Sequence, residues 1–199
     1  MTPELRRELL RKIFHFLSLV YLAAFLLLGR GTTLVLLGLW ILVEGGLELA
    51  RLARPGLNEA LMRVFGGIHR EKESAQVSGV FWTSLGCWLS VLCWGARPEA
   101  VTAGLCCLAF GDAAAALVGR RFGRTRLRSG KTLEGTLACF AACLLSCAAA
   151  GLRGPALPAA AAVAALVELL PVPVDDNLWL SFLPAGTVFL LLSRGAPGF

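Results

Sequence analysis

Charge is scarce in this chain. Of its 199 residues only 16% are Asp, Glu, Lys or Arg, 57% are hydrophobic, and the mean hydropathy is +0.72. A soluble domain carries roughly 25% charged residues, so this composition excludes a water-soluble globule and points to a bundle embedded in lipid. Alternation of apolar and polar residues is lacking too. The apolar runs are continuous and rich in Leu and Ala, which excludes a transmembrane β-barrel. No small-x-small cleavage site follows the basic and then apolar stretch Met1–Leu28, so it reads as a retained first span rather than a secretory leader. No soluble segment is available to present basic loops to a nucleic acid, and that partner class is set aside.

What the chain does have is seven apolar segments, roughly Ile13–Leu28, Thr32–Leu49, Gln76–Trp94, Ala100–Val118, Leu133–Ala150, Ala156–Val172 and Leu178–Leu192. The expectation is an all-α integral membrane protein, a bundle of about seven transmembrane helices forming one membrane-embedded domain over residues 1–199. Several segments fall short of the ~20 residues that cross a ~30 Å hydrocarbon core, so they are expected to extend into their flanks, as with the amphipathic lead-in Glu4–Lys12. Within the long connection Arg51–Ala75, Leu57–Phe65 has helical spacing suited to lying in the interface. With the N-terminus placed on the inner side, the outer loops hold only Arg30, Arg97, Arg153 and Arg194, leaving 15 of the 19 basic residues inside. The positive-inside rule therefore sets a cytoplasmic N-terminus, and the net charge of +6 is first of all an orientation signal.

All seven cysteines fall in spans, which gives no disulfide framework and makes them packing residues by default. Cys139, Cys143 and Cys147 share one helix face at intervals of four; a soft-metal site is the alternative to helix packing there. The acids say more. Only Glu99 lies on the outer side, whereas Glu44, Asp112 and Glu168 sit inside apolar spans, about 18 Å from the outer end at ~1.5 Å per residue. A charge at the centre of a lipid-facing helix costs at least about 2.5 kcal/mol, so such residues face a polar cavity, a metal or a partner. Glu134 opens the fifth span, and Asp175 and Asp176 form the turn before the seventh. Beside them runs the loop Gly119–Lys131 with six cations. Carboxylates that hold a hard cation, Arg and Lys that neutralise phosphate oxygens, and glycines that allow close backbone approach together suit a Mg²⁺–polyphosphate ligand. The alternatives are a plain basic anchor for the arginines and a satisfied core carboxylate for Asp112.

Gly130-Lys131-Thr132 mimics the end of a P-loop, but that pattern requires Gly where this chain has Thr125. A Walker-type site is excluded. His15 shares a helix face with Arg11 and Lys12, either as a phosphate donor or base or as a histidine snorkelling at the boundary; His69 sits in a charged, solvated run.

Four blocks carry a likeness to a known family. They are Arg11-Lys12-x-x-His15; Gly111-Asp112 through Gly119 and on to Gly123; Gly130-Lys131-Thr132-Leu-Glu134-Gly135-Thr136; and Glu168 followed by Asp176-Asn177 and Pro184. In order and spacing the chain resembles the CTP-dependent polyprenol kinase family of dolichol kinase, phytol kinase and CTP-dependent diacylglycerol kinase. It departs where the family often has Ser in place of Thr132 or Thr136, and the Ser78-Gly79 region matches loosely. The resemblance implies one catalytic domain that moves the γ-phosphate of CTP to a membrane lipid alcohol, isoprenoid or diacylglycerol, with a divalent cation such as Mg²⁺. It implies Asp112, Lys131, Glu134 and Asp176 as catalytic residues and Asp112, Glu134, Glu168 and Asp176 as metal ligands. Arg120, Arg121, Gly123, Gly130, Lys131, Thr132, Asn177, Lys12 and His15 would bind the nucleotide. The expected location is a prokaryotic cytoplasmic membrane, with the site facing the cytoplasm.

Two rivals differ in chemistry. A phosphatidate-type cytidylyltransferase would attack the α-phosphate of CTP, but its C-terminal acidic signature rich in Gly, His and Asp is lacking; only Val174-Asp-Asp-Asn177 remains. A small proton-coupled transporter would use Glu44, Asp112 and Glu168 near the midplane, but no internal repeat is visible and the basic loop would go unexplained.

Overall fold

The structure is a computed structural model that describes residues 15–65, 71–127 and 130–195. The lead-in Glu4–Lys12 and His69 lie outside the described residues. Among those described there is no strand, only a single antiparallel bridge between Arg126 and Thr132. The helices are α1 (Leu17–Ala53), α2 (Pro55–Phe65), α3 (Gly79–Trp94), α4 (Pro98–Phe122), α5 (Leu133–Ala149), α6 (Ala156–Leu169) and α7 (Asp176–Ser193). The Leu57–Phe65 spacing is realised as α2.

α1 is two helical arms rather than one rod. The Tyr21 hydroxyl lies 3.1 Å from Ser84 Oγ, and Glu44 also interacts with Ser84. A straight helix would hold residues 21 and 44 about 34 Å apart at ~1.5 Å rise per residue. The chain therefore doubles back at Gly29, whose φ of 80° and ψ of 167° break the helix in a region open chiefly to glycine. The second arm runs antiparallel to α3. Arg30 Nη2 donates to Leu92 O at 2.8 Å, Trp88 Nε1 to Leu34 O at 3.0 Å, and the Ser78 N–H to Glu48 Oε2 at 2.8 Å.

α7 packs against α3, α4 and α6. A Cβ on Gly86 would come within 2.8 Å of Leu178 Cα, and one on Gly104 would overlap Ser181 O. Small residues thus let these backbones meet directly, as in packed membrane helices. The outer surface is apolar: Leu27, Leu42, Leu49 and Leu145 are each more than two-thirds exposed. Three helical stretches, Leu17–Ala53, Pro98–Phe122 and Asp176–Ser193, are long and apolar enough to cross a membrane, and α3, α5 and α6 are shorter apolar helices. An all-helical membrane protein is what these features fit.

Helix ends shift from the expected segments for local reasons. α3 starts at Gly79, not Gln76, because Ser78 Oγ accepts the Phe81 N–H. α7 starts at Asp176 because Asp175 Oδ1 accepts the Asn177 N–H at 3.1 Å. α6 stops at Leu169, short of Val172, since Pro171 and Pro173 follow. Within α4, the turn Cys107–Gly111 widens to a π-helix immediately before Asp112, a distortion frequent at functional sites.

Candidate functional site

The loop between α4 and α5 is a folded hairpin. The Leu133 N–H donates to Thr125 O at 3.0 Å, and the Leu127 N–H donates to Lys131 O at 2.9 Å. Gly130 makes the turn with φ +79°. Thr132 then caps α5 by accepting the Gly135 N–H at 3.2 Å. The result is that Lys131 leaves the loop at a set place. Its ammonium donates to Glu168 Oε1 at 2.8 Å and to Asp176 Oδ2 at 3.2 Å. The start of α5 thus meets the end of α6 and the start of α7, 37 and 45 residues further on, at one ammonium. Burial works against the Lys131 charge, but the Glu168 and Asp176 carboxylates outweigh it and hold the ammonium above the ordinary lysine range.

The turn that delivers Asp176 is strained. Val174 has φ +73°, a region costly for a β-branched residue, by roughly 1–3 kcal/mol. Asn177, on the next position, is buried and donates from Nδ2 to Gly79 O at 3.3 Å, which ties α7 to the start of α3.

Asp112 and His15 form the second part of the site. Both are buried, and His15 Nδ1 lies 3.2 Å from Asp112 Oδ2. His15 is therefore turned into the protein rather than snorkelling at its edge. Glu168 lies within electrostatic range of both Asp112 and Asp176, so the two parts share one field. Glu168 is 6% exposed, and its Oε2 is buried without a hydrogen-bond partner among the described residues. Leaving a carboxylate oxygen in that state costs free energy, which marks it as a place for a polar occupant.

Other predicted residues take different places. The Glu134 carboxylate accepts the Thr125 N–H at 3.1 and 3.3 Å and so braces the hairpin. Gly123 has a packing reason: its Cβ would lie 2.6 Å from Thr132 Cγ2. Arg120 and Arg121 are exposed on the last turn of α4, the Arg121 guanidinium 5.5 Å from the centre of the Phe122 ring. Lys12 lies outside the described residues. Cys139, Cys143 and Cys147 are fully buried against α4, with Cys147 Sγ 3.8 Å from Cys107 Sγ and Cys143 donating to Cys107 O. That face is a helix contact. Among the described residues no three His, Cys, Asp or Glu side chains converge as a ready-made metal cage.

Two features escaped the sequence reading. Arg51, read as one more inner cation, is 2% exposed and binds Glu48 Oε2 at 2.6 Å, Glu73 O at 2.8 Å and Gln76 O at 2.6 Å. It clamps the long connection onto the end of α1. Glu73 lies in a charged run yet is buried, with its carboxylate beside Gly79 and Asn177. Glu44, for its part, sits in a polar group with Tyr21, Trp40 and Ser84.

No family model matches the chain, and no solved structure matches it. It is 29% identical over 149 residues to CTP-dependent diacylglycerol kinase 1 of Saccharomyces cerevisiae (strain ATCC 204508 / S288c), a match covering 71% of this chain and 50% of that protein. The chain thus spans about half the length of the curated relative it matches. The chain is thus similar to a CTP-dependent lipid kinase.

Proposed function

We propose that the protein is a membrane-embedded kinase that transfers the γ-phosphate of CTP to the hydroxyl of a lipid alcohol. The observation that carries this reading is a lysine held between two acidic side chains, within the field of a buried Asp–His pair. Phosphoryl transfer asks the protein chiefly to position its reactants and to neutralise charge. Lys131 would bind the transferring phosphate, with Arg120 and Arg121 on the remaining phosphates. Asp112, oriented by His15, would take the proton of the lipid hydroxyl as its oxygen bonds to the γ-phosphorus. The bond from that phosphorus to the β-phosphate bridge then breaks, giving a lipid monophosphate and CDP. Thr132 and Glu134 keep the hairpin folded so that Lys131 stays in register.

A divalent cation fits the donor set. Mg²⁺ commonly needs only one or two carboxylates plus substrate phosphates, and Glu168, with its unpartnered buried oxygen, and Asp176 would hold it. When bound, such a cation supplies charge neutralisation for the phosphates. The acceptor is an isoprenoid alcohol or diacylglycerol, and the name of the yeast relative puts diacylglycerol first. The charge asymmetry supports seven spans with a cytoplasmic N-terminus; a prokaryotic cytoplasmic membrane is the proposed location.

The test is purified protein incubated with a panel of lipid alcohols and CTP labelled at either end. Label from γ-labelled CTP should appear in the lipid, and label from α-labelled CTP should not. The reverse pattern would make the protein a cytidylyltransferase.

A further inference from the structure

The space between Glu168 and Asp176 has the makings of a divalent-cation site, yet a side chain of the protein fills it. We infer that Lys131 is the resident counter-cation of a divalent-metal site formed by Glu168 and Asp176, so that metal enters only when a nucleotide's phosphates draw the lysine away. The inference rests on the kinase reading for the identity of the nucleotide, but not for the metal site itself.

Three observations support it. First, the two carboxylate oxygens cannot be more than about 6 Å apart, since both contact one ammonium; a metal with ~2.1 Å bonds spans ~4 Å between opposed ligands. A small closure would convert one arrangement into the other. Second, Glu168 is more than nine-tenths buried, and its Oε2 has no partner among the described residues while the lysine engages Oε1 alone. An ammonium used as a monodentate partner leaves half of this carboxylate unanswered, whereas a divalent ion can engage both oxygens. Third, the Lys131 side chain is 38% exposed against 7% for Glu168 and 17% for Asp176. Lys131 is thus the most solvent-accessible of the three side chains, and it follows directly on the Gly130 turn. Phosphates arriving there offer the lysine charge-assisted bonds of the same class as those to its two carboxylates, and a triphosphate brings several negative charges to compete for it.

The resident ammonium also sets the spacing of the pair, since both carboxylates close on the one Nζ. The carboxylates are arranged around a nitrogen, not around a metal. It further predicts an order of binding, since a site already neutralised by its own lysine has little affinity for a free cation. A lysine that is merely a fixed structural salt bridge predicts no such order.

The experiment uses the full chain in detergent and Mn²⁺ as the probe, read by the paramagnetic signal of free Mn²⁺ and by thermal unfolding. Wild-type protein alone should bind Mn²⁺ weakly. Lys131→Met should bind it roughly 10-fold or more tightly, since a unit positive charge no longer competes at contact distance. Adding Glu168→Gln to Lys131→Met should abolish the gain, and Lys131→Arg should behave as wild type. If Lys131→Met folds poorly, Mn²⁺ should raise its unfolding temperature while leaving wild type unmoved, because a ligand that binds only the native state stabilises it. Equal Mn²⁺ affinity for wild type and Lys131→Met, or no Mn²⁺ effect on the variant by either readout, would overturn the inference. None of these arms contains CTP or lipid, so their failure is distinguishable from failure of label transfer.

Discussion

Gly111→Ala is a stringent test of how Asp112 is placed. Gly111 is helical, with φ −64° and ψ −52°, so alanine is compatible with its backbone and should gain up to about 1 kcal/mol of helix propensity. Packing points the other way. The new Cβ would lie 2.6 Å from Cys143 Sγ and 3.1 Å from Cys139 Sγ, about 1 Å inside an ordinary ~3.5–4 Å contact. Both sulfurs are on fully buried residues, which leaves them little room to retreat. Overpacking of this kind costs about 1–3 kcal/mol, so the net change should be a loss of about 1–2 kcal/mol. For a chain of this size that is a fall of roughly 2–8 °C in unfolding temperature. Because the next residue is Asp112, CTP turnover by the folded fraction should fall as well. The assay is thermal unfolding and turnover on one detergent preparation of Gly111→Ala, Cys143→Ala and the double variant. Removing the sulfur frees the space the new methyl needs, so the double variant should recover stability and rate beyond the sum of the two single changes. A Gly111→Ala protein as stable and active as wild type, or one whose defect ignores Cys143, would refute the α4–α5 contact as the device that positions Asp112.

The remaining predictions are shorter. Asp112→Asn is nearly isosteric and should leave the unfolding temperature within a few degrees of wild type, while turnover of CTP falls by orders of magnitude, because an amide can neither accept a proton nor carry the charge that faces His15; a folded variant with wild-type turnover would remove Asp112 from the site. Single cysteines placed at Arg124 and Arg97 in a cysteine-free background should react with an impermeant reagent from opposite sides of the membrane; labelling of both from outside would reject the proposed orientation.

The sequence made the apolar segments and the acids beside them legible because both rest on composition and short-range period. Asp112, Lys131, Glu168 and Asp176 stand out in any reading, since charge inside or beside an apolar run is expensive. What stayed hidden depends on tertiary partners. Nothing in the run around Arg51 distinguishes a buried clamp from a solvated anchor, because two of its five acceptor atoms are the carbonyl oxygens of Glu73 and Gln76, which carry no side-chain signature. Glu134 stands out as an acid at a helix start, but the bond its carboxylate accepts from the Thr125 N–H is not visible in the sequence. The glycines of the basic loop read as room for phosphate; that Gly123 also makes room for Thr132 and that Gly130 takes a left-handed turn depends on the fold.

The placement of the site bears on how two unlike reactants could reach it. His15 and Asp112 are adjoined by Phe16 and Phe110, whose rings meet edge to face at 5.6 Å and are each more than a third exposed on the apolar outer surface. A lipid hydroxyl approaching through the bilayer would thus meet the Asp112 carboxylate beside an aromatic edge that tolerates hydrocarbon. Lys131 comes instead from a hairpin whose neighbours Arg124 and Arg126 are exposed, a surface suited to a charged nucleotide arriving from water. Glu168 couples the two approaches electrostatically, interacting with Asp112 on one side and Lys131 and Asp176 on the other. On the proposed reading, an acceptor that never leaves the membrane and a donor that never enters it need only meet across that one buried carboxylate.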